Sequence, residues 1–109
     1  MENLKDVYNY LVDKKCKDIA VYDLSKEAYS YDYLITATLS NTANNKKLCL
    51  TLMEDIGFEK FPEGYNKGEW IVYDFDDIVI HTFIPTTRSK YNVDRLWQAK
   101  KIDNNLLMK

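Results

Sequence analysis

The chain has 109 residues, of which 46% are hydrophobic and 29% charged, and this is enough for one domain with a single core. Its net charge of −2 excludes the dominant basic field of a general nucleic-acid binder. No apolar run approaches the roughly 20 residues of a membrane span, and no secretory signal is recognisable, so we expect a cytoplasmic protein without membrane contact.

The first half of the chain switches between two periodicities. A helix is predicted where apolar residues recur every three or four positions, and a strand where β-branched and aromatic residues run together. Asparagine and serine favour the starts of helices, and glycine favours their ends. The predicted elements are a helix from Leu4 after the N-cap Asn3, strands at 19–24 and 33–39, and a helix between the N-cap candidates Ser40-Asn41-Thr42 and Gly57.

The second half predicts a hairpin and a third helix. Residues 68–83 form two apolar runs joined by an acidic turn, and Pro85 ends the second run because proline cannot donate to a sheet ladder. Thr87 or Asn92 is the N-cap candidate of the third helix. The residues that this helix is expected to pack on the sheet are Val93, Leu96 and Trp97.

The predicted order is therefore α-β-β-α-β-β-α, which is typical of a layered α/β protein. We expect a single domain over residues 1–109, with a mixed four- to five-stranded sheet flanked by helices. Its core is expected within residues 4–98, and the C-terminal residues 103–109 are expected to be frayed.

Charge is distributed unevenly along the chain. Residues 54–77 carry eight acids against two lysines, whereas residues 84–109 carry six basic residues against two acids. An acidic segment of this kind favours a basic protein partner. The basic residues Arg88, Lys90 and Arg95 are typical of a solvated face, with RNA contact as the less favoured alternative.

Three aspartates at the predicted turn, Asp74, Asp76 and Asp77, pose the question of catalysis. Carboxylates of this kind hold Mg²⁺ in enzymes that transfer nucleotidyl groups, and such sites also need a Gly-Ser turn that cradles phosphates. The chain contains no Gly-Ser pair, so a solvated turn is favoured. The alternative, a Mg-dependent nucleotidyltransferase-like enzyme that uses these three acids, stays open at this stage.

Histidine and cysteine offer little for chemistry. His81 is the only histidine, which excludes a multi-histidine metal site, and we interpret it as a part-buried strand residue held by a hydrogen bond. Cys16 and Cys49 are predicted on helical core faces, a poor place for an activated thiolate. We therefore expect no catalytic residue, no metal and no cofactor.

The aromatic residues of the hairpin favour a binding role. Along the first strand, Trp70 and Val72 share one face and Ile71 and Tyr73 the other, so Trp70 fits a core or an interface equally well. Phe75 lies between acids at the turn, where an exposed aromatic residue rimmed by charge is typical of an interface hot spot.

At this point the motifs resemble those of the ribosomal silencing factor family, which is also called the Iojap-related family. The resemblance covers residues 4–98 and is most specific in two segments of the second half. These segments are Glu69-Trp70-Ile71-Val72-x-Asp74-Phe75-x-Asp77-Ile78-Val79-Ile80-His81-x-Phe83 and Arg88-x-x-Tyr91-Asn92-Val93-Asp94-Arg95-Leu96-Trp97.

The resemblance implies a nucleotidyltransferase-like fold without catalytic equipment. It further implies a translational repressor that binds the large ribosomal subunit through its fourteenth protein and blocks joining of the small subunit. Docking would use Trp70 and Phe75, with Asp74, Asp76 and Asp77 nearby. We add Arg88, Tyr91 and Arg95 as secondary contacts, an RNA contact, and a homodimer off the ribosome as further hypotheses.

Two positions depart from the family pattern. The small-residue turn after the second strand, a glycine followed by serine, is here Leu39-Ser40-Asn41-Thr42. The turn glycine before Asp77 is replaced by Asp76, which adds negative charge to the expected contact.

Overall fold

The computed structural model describes residues 3–57 and 60–109. Asn3 and Asn41 begin the two longest helices as expected, since their side chains accept hydrogen bonds from the backbone N–H groups of Asp6 and Asn44 at 2.9 and 2.8 Å. The elements are α1 (Leu4–Asp13), β1 (Lys17–Asp23), β2 (Tyr33–Thr38), α2 (Thr42–Ile56), β3 (Trp70–Phe75), β4 (Ile78–Phe83), α3 (Pro85–Tyr91), a 3-10 segment (Val93–Lys100), β5 (Lys101–Ile102) and a 3-10 turn (Asn104–Leu106).

The strands form one mixed sheet in the order β3-β4-β2-β1-β5. Strands β2 and β4 are parallel, and the other neighbours are antiparallel. The predicted α/β class and mixed sheet are confirmed, and β5 is an addition to the predicted order. None of the helices in residues 3–57 and 60–109 is long and apolar enough to cross a membrane.

One face of the sheet carries the main core. Alternate residues of the strands, among them Val21, Ile35, Ile71 and Ile80, point to this face and are fully buried. Helices α1 and α2 cover it with the side chains of Val7, Leu11, Leu48, Cys49 and Leu52. Helix α2 ends at Gly57, whose φ of 77° confirms the predicted left-handed cap.

The other face of the sheet is covered by the C-terminal third of the chain. Tyr22, Leu34 and Val79 belong to a second, smaller cluster, against which Trp97 of the 3-10 segment packs. The prediction that Trp97 packs on the sheet is thus confirmed. The same prediction for Leu96 is wrong, because 73% of this residue is exposed.

A buried ion pair fixes this C-terminal third to the sheet. Arg88 of α3 donates to both carboxylate oxygens of Asp94, at 3.0 and 3.1 Å. The hydroxyls of Tyr22 and Thr36 each donate to Asp94 Oδ1 at 2.6 Å. Arg88 also donates to the carbonyl oxygen of Asp18 at 2.6 Å and to Thr38 Oγ1 at 2.8 Å. The pair therefore links α3 and the 3-10 segment to both β1 and β2.

The third helix lies earlier than predicted. Pro85 occupies the first turn of α3, where its fixed φ and missing N–H favour helix formation. The helix ends at Asn92, which adopts a left-handed conformation with φ 42°, and only then does the 3-10 segment begin. Pro85 thus ends the preceding strand, as predicted, and also begins a helix that the prediction missed.

Two further expectations need correction. Residues 103–109 are not frayed: Leu107 is buried, and its carbonyl oxygen accepts a hydrogen bond from Asn9 Nδ2 of α1 at 2.8 Å. Asn104 likewise donates to the carbonyl oxygen of Ile19 at 2.9 Å. Cys16 lies between α1 and β1 rather than on a helix, whereas Cys49 lies on α2 and is buried as predicted.

Replacement of Asp94 by asparagine should destabilise the protein strongly. The change leaves the Arg88 guanidinium half-buried without its counter-charge, and the expected loss is about 3 kcal/mol of unfolding free energy near neutral pH. Urea denaturation measures it. Asp13→Asn is the matched control, because Asp13 makes an exposed ion pair with Lys109 at 3.3 Å and should change stability little. Equal stabilities of the two variants would contradict the structural role of Asp94.

The difference in unfolding free energy between wild type and Asp94→Asn should depend on pH. Burial alone would raise the pKa of the Asp94 carboxyl, but hydrogen bonds from Arg88, Thr36 and Tyr22 and the charge of Arg88 outweigh it and hold this pKa below its usual range. A lowered folded pKa stabilises the native state above the unfolded pKa, and this contribution is lost as pH falls below about 4. Wild type and Asp94→Asn should therefore approach each other in stability in acid.

Candidate functional site

Strand β3 forms one edge of the sheet, and its hairpin with β4 contains most of the predicted contact residues. The register pairs Trp70 with Phe83 at one end of the hairpin and Phe75 with Ile78 at the other. Five residues of extended strand span about 17 Å. Because side chains alternate between faces, Trp70 and Phe75 also point to opposite faces of the sheet. The predicted contact residues thus divide into two groups.

Phe75 belongs to the main core more than the sequence predicts. It shares its face with the buried Ile71 and Tyr73, and it packs half-buried against the core beneath α1 and α2. The expectation that Phe75 escapes the core is wrong, because its place in the strand, not the neighbouring acids, decides where its ring points. Only the outer part of this residue is available to a partner.

The three aspartates of the hairpin, Asp74, Asp76 and Asp77, are all exposed. They lie at the turn, where Asp76 adopts a left-handed conformation with φ 51°. The carbonyl oxygen of Asp77 accepts hydrogen bonds from the N–H groups of Asp32 and Tyr33, at 2.8 and 3.0 Å, which ties the turn to the start of β2. We call this group the acidic turn.

The acidic turn does not form a metal site within the described residues. Residues 3–57 and 60–109 contain no group of three or more histidine, cysteine, aspartate or glutamate side chains placed to hold a metal ion. In the same residues, the carboxylates of the acidic turn make no ion pair with a lysine or arginine. They form a solvated negative rim, which suits the attraction of a basic surface.

At the other end of the hairpin, Trp70 lies among aromatic rings. Its indole Nε1 donates to Nδ1 of His81 at 2.8 Å, which confirms the prediction of a hydrogen-bonded strand histidine. The centroids of the Phe83 and Tyr91 rings lie 5.2 and 5.1 Å from that of Trp70. Burial lowers the pKa of His81 to about 4, and the Asp94 carboxylate offsets only part of this shift. His81 is therefore neutral at pH 7 and serves as a hydrogen-bond acceptor.

A groove of about 400 Å³ opens beside Trp70. Its aromatic walls are Trp70 and the exposed Tyr91 on one side and Phe61 and Tyr65 on the other. The rings of Phe61 and Tyr65 meet edge to face at 5.4 Å. We call this cavity the aromatic groove. Its size and lining suit the anchoring of an apolar side chain from a partner.

The loop that carries Phe61 and Tyr65 is held against β3 by its backbone. Glu63 and Val72 exchange two N–H···O bonds, at 3.1 and 2.9 Å. Gly64 has a φ of 93°, and a Cβ atom there would lie 2.0 Å from the carbonyl oxygen of Trp70. Only glycine fits at this position. The predicted contact residues do not include Phe61 and Tyr65, although Gly64 and Gly68 on either side of Tyr65 mark a loop with special backbone geometry.

The three residues predicted as secondary contacts lie in different environments. Arg88, predicted on a solvated basic face, instead forms an ion pair with Asp94 inside the fold. Tyr91 is 54% exposed and forms part of the aromatic groove. Arg95 is exposed on the 3-10 segment. A contact role for Tyr91 and Arg95 stays a prediction, whereas Arg88 acts through the fold.

Comparison with known proteins shows which sequences this chain is similar to. The chain matches the family model described as "Ribosomal silencing factor during starvation" over residues 1–108. It is 32% identical over 95 residues to the ribosomal silencing factor RsfS of Chromobacterium violaceum, which covers 84% of this chain and 78% of that protein. A mouse protein named "Mitochondrial assembly of ribosomal large subunit protein 1" is 24% identical over 103 residues, which make up 88% of this chain and 45% of that protein.

A solved structure shares the fold. A crystal structure of a protein from Chromobacterium violaceum superposes with a TM-score of 0.74 at 30% sequence identity. The match covers 92% of this chain and 85% of that chain. The similarity therefore includes nearly all of the sheet and helices described above.

The lowered pKa of His81 predicts a loss of stability in mild acid. The unfolded chain binds a proton near its ordinary pKa of about 6.5, and the folded chain resists it until about pH 4, so stability falls as pH decreases through this window. Between pH 7 and pH 5 the loss should be about 2 kcal/mol. Urea denaturation of wild type and His81→Gln at both pH values isolates this contribution. An equal loss of unfolding free energy between pH 7 and pH 5 in the two proteins would refute it.

Proposed function

The chain belongs to the ribosomal silencing factor family, and on this premise we propose that it represses translation by binding the large ribosomal subunit. The bound domain would contact the fourteenth protein of the subunit and sterically block joining of the small subunit. The family match over residues 1–108 carries this proposal. The name of the mouse relative, which refers to assembly of the ribosomal large subunit, points to the same partner.

The charge of the acidic turn supports its assignment as the docking site. Its three carboxylates are exposed at and beside the turn that joins the edge strand β3 to β4. An unpaired negative rim attracts a basic ribosomal protein during encounter and favours the correct orientation. The exposed part of Phe75 lies at the same end of β3 and would supply an apolar contact next to the charges.

Trp70 contributes from the other end of β3. Together with Tyr91 it offers the aromatic groove as a pocket for an apolar residue of the same partner. The two docking elements are about 17 Å apart, a separation that fits within an interface of about 800 Å² per partner. We therefore propose a contact that runs along the β3 edge, with the acidic turn at one end and the aromatic groove at the other.

Repression by this route needs no catalytic step. A bound domain that covers part of the joining face excludes the small subunit by its volume alone. The alternative is a Mg-dependent enzyme that uses Asp74, Asp76 and Asp77, and residues 3–57 and 60–109 contain no group of three or more histidine, cysteine, aspartate or glutamate side chains that would support it.

Neutralising the acidic turn should weaken binding. The variant Asp74→Asn/Asp76→Asn/Asp77→Asn removes three exposed charges, each worth up to about 1 kcal/mol in a paired contact, so the dissociation constant should rise roughly tenfold. Cosedimentation with purified large subunits at several salt concentrations measures this. The variant should also lose the part of the salt dependence of binding that these three charges contribute.

The control neutralises an equal number of exposed acids on other elements, namely Asp6→Asn, Glu54→Gln and Asp103→Asn. Its binding should match that of wild type. A subunit-joining assay on the same proteins then tests the repression itself. Normal binding by the acidic-turn variant would remove this surface from the proposal, and binding without any block of joining would refute the steric mechanism. Size-exclusion chromatography of the free proteins tests the predicted homodimer.

A further inference from the structure

A second charged surface lies away from the edge strand β3. A cavity of about 400 Å³ opens between the end of α1, the start of β1 and the first half of α2. Four exposed lysines line it, together with small polar residues and two leucines. We call it the lysine pocket, and its lining residues are Lys14, Lys15, Lys17, Leu39, Ser40, Asn44, Lys47, Leu48 and Thr51.

The lysines of this pocket lack acidic partners. Among residues 3–57 and 60–109, the lysines with an ion pair are Lys100, with Glu27, and Lys109, with Asp13. No described aspartate or glutamate lines the lysine pocket. The ammonium of Lys14 lies over the Tyr10 ring, 5.2 Å from its centroid, and none of the four lysines has an ion pair within the described residues. Four like charges around one cavity create a positive potential that attracts an anion from outside the fold.

Backbone hydrogen bonds define the turn that carries two of these lysines. The Lys14 and Lys15 N–H groups bond to the carbonyl oxygens of Tyr10 and Val12, both at 3.0 Å. Lys15 adopts a left-handed conformation with φ 67°, which reverses the chain between α1 and β1. Lys47 faces the same cavity from α2. A turn on one side and a helix on the other therefore place the four lysines around the same cavity.

The Ser40 hydroxyl adds a donor to the pocket. Its oxygen already accepts a hydrogen bond from Asn44 Nδ2 at 2.7 Å. The hydroxyl hydrogen therefore remains for an external acceptor. A rim of ammonium groups with a hydroxyl donor is a chemical match for phosphate oxygens.

We propose that the lysine pocket binds the phosphate backbone of RNA. No aromatic ring lines the described part of the pocket, so a base has no surface to stack on, which disfavours a free nucleotide and favours contacts to phosphates alone. This inference rests on the proposed function, because RNA meets the protein on the large ribosomal subunit. It adds a contact to the subunit that is independent of the β3 edge.

The position of the pocket suits such a second contact. Leu39, which follows β2, lines the pocket, whereas Tyr33 at the start of β2 bonds to the acidic turn. Six residues of strand separate the two surfaces by about 20 Å. One end of the sheet therefore presents acids to a basic protein, and the other presents lysines to RNA.

The test compares two variants with equal loss of charge. Lys15→Gln/Lys17→Gln/Lys47→Gln neutralises the pocket, and Lys5→Gln/Lys26→Gln/Lys101→Gln neutralises three exposed lysines elsewhere. Fluorescence anisotropy with a labelled single-stranded RNA of about 20 nucleotides, over a series of salt concentrations, measures affinity and the number of phosphates contacted. The pocket variant should bind at least tenfold more weakly, with a salt slope smaller by about 2. The control variant should match wild type.

Further measurements separate this proposal from the one on which it rests. The pocket variant should keep its affinity for the isolated fourteenth ribosomal protein, and the acidic-turn variant should keep its affinity for RNA. Thermal melts should show no loss of stability in the pocket variant, because the change relieves repulsion. Equal RNA affinity of the two lysine variants would overturn the proposal, whatever the acidic-turn variant does. Stabilisation of wild type by inorganic phosphate without RNA binding would overturn it too, in favour of a small-anion site.

Discussion

The ion pair between Arg88 and Asp94 determines how the C-terminal third of the chain lies on the sheet. The two residues are half-buried and buried, so each charge is acceptable there only because the other neutralises it. The pair has several further hydrogen-bond partners: Tyr22, Thr36 and Thr38 come from the sheet, and the Asp18 carbonyl from a bulge at the start of β1. Such a network favours a single arrangement, since displacement of either residue leaves a charge unpaired at low dielectric.

The aromatic groove depends on this network. Tyr91 lies one helical turn beyond Arg88 on α3, and its ring contacts Trp70 only because α3 is held against the sheet. Trp70 in turn bonds to His81, whose burial keeps the imidazole neutral and able to accept. The docking surface that we propose is therefore positioned by residues that touch no partner. This explains why Arg88 and Asp94, within a motif that resembles a functional signature, act through the fold.

Local signals were sufficient for much of the fold. Asn3, Asn41 and Gly57 mark helix ends through their own backbone and side-chain chemistry, and strand periodicity shows which residues of β3 share a face. The prediction failed where distant residues decide. Nothing near Arg88 in sequence reveals that Tyr22, Thr36 and Asp18 converge on it, so it was predicted to be solvated. The prediction for Phe75 is wrong because strand alternation places this residue on the same face as Ile71 and Tyr73, whatever the charge of its neighbours. The ordered C-terminus depends on Asn9 in α1, far away along the chain.

The internal use of Arg88 also changes where positive charge is available. In the basic C-terminal third, the charge of Arg88 is neutralised by Asp94. The lysines around the turn between α1 and β1 keep their charges exposed. These lysines and the acidic turn stand about 20 Å apart along β2, which is more than twice the screening length of about 8 Å at physiological ionic strength. Two surfaces of opposite sign can therefore coexist without cancelling each other. A chain of net charge −2 thus presents each sign separately, as a surface composed of both basic protein and RNA requires.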